Sequence, residues 1–179
     1  GFGGAEKAIV SEANLLSEKY DVEIACAYKL YEKPAFALDE RVKVRYLSEK
    51  LKPNKDELKK ALQNKNVFAI LREGLLSFKV LYHRKASIKK AIKNSDADII
   101  ISTRYIFHKI LAKHKKKGVI TIAQEHNHHN NDEVYIKKMI AAVNGIDYFM
   151  PVSQELTEFY AKRLDGVRCV YIPHSLDFM

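Results

Sequence analysis

Eight consecutive polar residues, Gln124 to Asn131, hold three imidazoles (His126, His128 and His129) and a carboxylate (Glu125), with Asp132 following. A neutral imidazole can donate or accept one hydrogen bond to a hydroxyl, so such a loop suits recognition of a hydroxyl-bearing ligand. The same side chains are nitrogen and oxygen donors of the kinds zinc accepts, although their spacing matches no standard zinc signature. Val119 to Ala123, just upstream, is rich in β-branched residues and follows Gly118, which predicts a strand buried on both faces. Ligands of open α/β sheets sit outside the carboxyl ends of the strands, and this polar loop leaves the strand at that end.

The surrounding elements must hold the loop there. The chain opens GFGGAE, a glycine turn leading into a helical pattern of Ala5, Ile9, Ala13, Leu16 and Tyr20 that ends at Asp21. Unpaired N–H groups at such a helix start can hold a phosphate or carboxylate. Val22 to Tyr28 and Val42 to Leu47 read as strands, and Ser48 to Asn66 as a Lys-rich loop with a short helix. Val67 to Lys93 is a long helix with Gly74 inside it and a basic second half. From Ala97 the alternation is regular: strand to Ile101, Ser102 and Thr103 as caps, a helix ending in a Lys run before Gly118, then the central strand and polar loop. A helix stopped by Gly145, a strand from Ile146 to Val152, a helix capped by Ser153 and a strand from Val167 to Ile172 complete it. Repeated βαβ units with short connections predict an α/β fold, a Rossmann-like, doubly wound and mostly parallel sheet flanked by helices. A strand normally precedes the glycine turn of such a unit, and its absence points to a missing first strand.

Composition bounds the function. The 179 residues carry a formal charge of +9, with 24 Lys to 7 Arg. Lysine is a solvated point charge suited to phosphate or anionic lipid, whereas base readers lean on arginine, so specific nucleic-acid recognition is disfavoured. The basic helix from Val67 could lie on an anionic membrane or cover the sheet with a solvated lysine face. Cys26 and Cys169 lie in apolar runs as small hydrophobes, which fits a reducing compartment. No stretch longer than eight residues lacks a charged side chain, so no membrane span is expected.

The opening GFGGAE, the tripeptide Glu125 to Asn127, DYFMPVSQEL at Asp147 to Leu156 and VYIPHSLD at Val170 to Asp177 together resemble the N-terminal domain of retaining glycosyltransferases of family four, also called glycosyl transferase group 1. The likeness runs along nearly the whole chain, 1–179, as a single Rossmann-like domain. It implies one half of a GT-B fold, whose other half, a C-terminal nucleotide-sugar domain, is absent from this chain. His174 stands where the family usually has asparagine.

The resemblance implies a transferase that moves a sugar from a nucleotide-sugar co-substrate to a polysaccharide or lipid-linked acceptor without a further cofactor; the cysteines point to the cytoplasm and the basic surface to a peripheral place at the inner face of the membrane. Half of such an enzyme is expected to transfer nothing by itself. His126 matches the histidine beside the reacting sugar. Gly3 and Gly4 match the turn that approaches phosphate, while Glu125, Asn127 and Ser153 match substrate-binding positions. Two other classes remain open from the residues: a metal-binding α/β domain built on the His-rich loop, and a basic module for anionic membrane or nucleic acid.

Overall fold

The computed structural model describes residues 3–31, 35–49 and 51–173. Two compact units are present, Gly1–Ile88 and Lys89–Met179. Gly1, Phe2 and the positions from His174 onward, which include the end of VYIPHSLD, lie outside the described residues.

In the first unit, α1 (Gly4–Leu16) is followed by β1 (Glu23–Cys26) and β2 (Lys43–Tyr46), which pair in parallel, then by α2 (Lys55–Gln63) and α3 (Val67–Asn94). The first helix stops well before Asp21. Ser17 is its C-cap, its hydroxyl donating to Asn14 O at 2.7 Å, and the amides of Glu18 to Tyr20 turn back onto Leu15 and Leu16. Asn14 then ties the helix to the loop ahead of β2, donating to Ala37 O and accepting from Asp39 N at 2.9 Å.

The long helix α3 is unbroken through Gly74. Its one acid, Glu73, is buried and accepts from Asn54 Nδ2 at 2.8 Å, while Ser77 donates to Asn54 Oδ1 at 2.7 Å. Asn54 thus spends its side chain on α3, although it stands at the start of α2. Its hydrogen bond, with that of Arg72, holds the Glu73 carboxyl below the usual range. Val80 is buried on this same side. On the other side of this helix Phe68, Leu71, Leu75, Phe78 and Tyr82 are exposed.

The second unit contains a four-stranded parallel sheet in the order β3 (Ile99–Ser102), β4 (Ile120–Glu125), β5 (Tyr148–Pro151), β6 (Arg168–Cys169), with helices α4 (Tyr105–His114), α5 (Glu133–Val143) and α6 (Gln154–Ala161) in the crossovers. Parallel strands and intervening helices make this an α/β, Rossmann-like arrangement. Its core is formed by Leu111, Ala123, Met139, Val143, Ile146, Phe149, Leu156 and Tyr160, all nearly inaccessible. The central strand is not buried on both faces over its full length. Thr121 and Ala123 are inaccessible, but Ile120 is exposed and Ile122 half-buried, so β4 shows the alternation of a sheet with one face more open.

β4 also extends further than its apolar residues. Gln124 and Glu125 are the last two residues of the strand, both buried, in register with Met150 and Pro151 of β5. Backbone pairing on a central strand and a hydrogen-bonded carboxylate allow polar side chains to sit there. The predicted caps Ser102 and Thr103 do not serve α4, whose N-cap position is Arg104 without a side-chain hydrogen bond. Ser102 instead ends β3 and turns inward.

Candidate functional site

The polar loop leaves β4 at the carboxyl edge of the sheet, where Ser102 ends β3 and Ser153 follows β5. Two successive asparagines make the turn: Asn130 and Asn131 have φ of 46° and 58°, a left-handed conformation that Asn tolerates better than most residues. Their amides donate to His128 Nδ1 and His129 Nδ1, each at 2.9 Å. Asp132 then caps α5, accepting from Val134 N and Tyr135 N. Much of the run His128 to Asp132 is therefore committed to shaping its own backbone.

These bonds bear on metal binding. With Nδ1 accepting, both rings carry their proton on Nε2 in the neutral form, leaving neither nitrogen ready to ligate without rearrangement. His129 is buried, packed at a 43° tilt against Phe159 with ring centroids 4.6 Å apart and edge-on to Tyr160 at 5.9 Å. Burial and the neighbouring His128 push its pKa down. Among the described residues no group of three His, Cys, Asp or Glu is placed to hold a metal ion.

Glu125, His126 and Asn127 divide differently. Glu125 is buried, and its Oε1 accepts from Asn127 N and Asn127 Nδ2, both at 2.8 Å. Tyr135 also hydrogen-bonds Glu125; burial and then this carboxylate push the phenol pKa far up. The Glu125 side chain is thus a clamp on the loop, and Asn127, exposed, is fixed by it. His126 is half-buried between them, at a small recess of about 10 Å³ lined also by Gln124, Met150, Pro151 and Ile172. That space is about the size of one water. Ser153 caps α6, its hydroxyl accepting from Leu156 N at 3.3 Å.

One residue escaped the sequence reading. His108 on α4 is inaccessible, and its Nδ1 lies 2.7 Å from Ser102 Oγ. Burial, reinforced by the charge of His126, lowers its pKa to about 3, so it is neutral at physiological pH. Ser102 Oγ also approaches Ile122 O, at 3.4 Å. If the hydroxyl donates there, His108 Nδ1–H donates to the serine and Nε2 presents a lone pair. The only signal in the sequence was a histidine one turn from Leu111 on the buried side of α4. His108 Nε2, His129 Nε2 and Tyr160 OH are buried without a hydrogen-bond partner among the described residues. Burial and the Glu125 charge push the Tyr160 phenol up to about 12.

Gly3 and Gly4 belong to the other unit. Gly3 is the N-cap position of α1 in extended conformation and Gly4 its first residue, both exposed. The first turn already has an anion beside it: a Cβ on Gly3 would stand 2.7 Å from Glu6 Oε2, whereas one on Gly4 would meet nothing within 4 Å. A carboxylate at the third helical position is favourable to the dipole for the same reason a phosphate would be.

No family profile matches the chain. A curated relative is an exopolysaccharide phosphotransferase of Streptomyces coelicolor, 28% identical over 131 residues, a match that spans 69% of this chain and 14% of that protein. The chain is therefore similar to a small part of a transferase named for exopolysaccharide. That likeness does not single out glycosyl transferase group 1. No helix among the described residues is long and apolar enough to cross a membrane.

Proposed function

We propose that this chain is the acceptor-binding half of a retaining glycosyltransferase that moves a sugar from a nucleotide-sugar to a polysaccharide or lipid-linked acceptor. The observation that supports this most is the grouping of His126, Glu125 and Asn127 at the carboxyl end of the central strand β4. The similarity to an exopolysaccharide phosphotransferase supports transfer chemistry on a glycan. In this reading His126 hydrogen-bonds a hydroxyl of the reacting sugar, Glu125 holds the loop that carries it, and Asn127 contacts the acceptor. The amides at the start of α1, taken within their own unit, are donors of the kind that hold a phosphate once Glu6 moves aside, and no further cofactor is invoked. A nucleotide-sugar domain elsewhere in the same enzyme completes the site, so this chain alone is inactive. In this reading the protein works in the cytoplasm, and its lysine-rich surface holds it peripherally to the membrane on which its acceptor lies.

The relative's name favours a second reading, transfer of a sugar phosphate. The two differ in which bond of the donor breaks. Glycosyl transfer releases a nucleoside diphosphate; sugar-phosphate transfer cleaves between the phosphates and releases the monophosphate. Incubating the full-length protein with a panel of nucleotide-sugars and a glycan acceptor, and identifying the released nucleotide, decides between them. The diphosphate is expected. In the same assay His126→Ala lowers turnover about a hundredfold with an unchanged unfolding midpoint. Near-normal turnover in that variant rules out the role given to His126.

A further inference from the structure

We propose that the outward face of α3 is a docking surface for an anionic lipid bilayer. Phe68, Leu71, Leu75, Phe78 and Tyr82 recur at steps of three and four along this helix and are 87%, 61%, 72%, 71% and 64% exposed. They form one continuous stripe, and the stripe continues into Lys85 and Lys89, both exposed. A contiguous patch of two phenylalanines, two leucines and a tyrosine facing water marks an interaction site.

The opposite side of α3 already holds the helix in its unit. Glu73 is bonded to Asn54, Ser77 to Asn54, and the carbonyl of Val80 accepts from Tyr28 OH at 3.2 Å. The outward stripe takes no part in these contacts.

Charge decides the occupant. The helix carries seven Lys and Arg residues and a single acid. That acid, Glu73, is 6% exposed and faces inward. The outward side is thus apolar and cationic with no carboxylate, the pattern of an interfacial helix on anionic headgroups. In that position the phenylalanines and leucines enter the acyl boundary, Tyr82 places its ring at headgroup level, and Lys79, Lys85 and Lys89 meet lipid phosphate. A second copy fits less well. Antiparallel pairing of two such stripes brings two net-cationic helices together, and the one acid of each, Glu73, is buried and already paired with Arg72. The surface does not depend on the sugar-transfer reading.

Co-sedimentation of the full-length protein with vesicles tests this. We expect binding to an equal mixture of phosphatidylcholine and phosphatidylglycerol, weakened by salt, and little binding to phosphatidylcholine alone. Leu75→Gln with Phe78→Gln changes only exposed positions and should weaken binding by about tenfold or more. Lys85→Glu should weaken it about fivefold for each unit of charge removed. Absence of binding, or equal binding by all variants, overturns the proposal. So does finding that the stripe is sealed by another part of the full-length protein, as shown by failure of a cysteine placed at Phe78 to react with a thiol reagent. A dimer that dissociates on Leu75→Gln with Phe78→Gln overturns it in favour of a second copy.

Discussion

Ser102 Oγ and His108 Nδ1 lie 2.7 Å apart in the buried layer beneath the carboxyl edge of the sheet. The pair joins the last residue of β3 to the inward face of α4, and His108 stays neutral because burial and His126 both oppose its charge.

Its pH consequence has a definite sign. The folded pKa of about 3 lies below the ordinary histidine value of 6.5, so the unfolded chain binds a proton that the folded chain refuses. This share of stability is complete above the unfolded value and is lost as pH falls from there towards the folded one, at up to about 1.4 kcal/mol per pH unit. Urea unfolding at pH 7 and pH 5 should show His108→Leu losing about 2 kcal/mol less than the wild type over that interval. Equal losses in both proteins would remove His108 as the source.

Glu125 should separate charge from acceptor geometry. Glu125→Leu strands the amide and side-chain donors of Asn127 and the phenol of Tyr135, and is expected to cost about 2–4 kcal/mol. Glu125→Gln keeps an acceptor oxygen and should cost clearly less. Thermal unfolding of the two variants checks the order.

Asp147 performs the same service at the other end of β4. It accepts from Thr121 N and Oγ1 and from Lys115 Nζ at 2.9 Å. Partial desolvation raises its pKa, but these hydrogen bonds outweigh that and leave it lowered. Its contribution is therefore present above the unfolded carboxylate value and lost as pH falls below it. Asp147→Ala, which takes the acceptor from the amide and hydroxyl donors of inaccessible Thr121, should cost about 2–3 kcal/mol at neutral pH, measured by denaturant unfolding.

The two glycines of α1 give a test of close approach. Gly4→Ala meets open space and exchanges the poorest ordinary helix former for the best, so stability should rise by up to about 1 kcal/mol. If a phosphate approaches this turn, the same change lowers affinity for the nucleotide-sugar although the fold gains. A variant that is both more stable and fully active places the ligand elsewhere.

Legibility in the sequence followed how local each signal was. Ser153 was readable as a cap because a cap depends on amides two or three residues away. The βα alternation after Ala97 was readable from periodicity. Ser102 was misread because the same residue type that caps a helix can instead end a strand and bond a histidine six positions on, a choice made by tertiary packing. The three imidazoles read as ligands, yet two accept from amides two residues ahead, and no residue type announces that. The end of β4 was placed too early because Gln124 and Glu125 are polar and buried, a combination that only long-range partners such as Pro151 and Tyr135 explain.

The strands of the second unit stand side by side in the order in which they are made. Their paired residues are 21, 26 and 20 positions apart (99 to 120, 122 to 148, 148 to 168). Each new strand therefore finds its neighbour one crossover behind it on a growing chain, and no strand waits for a partner synthesised much later. Loop closure is short at every step, which favours vectorial assembly.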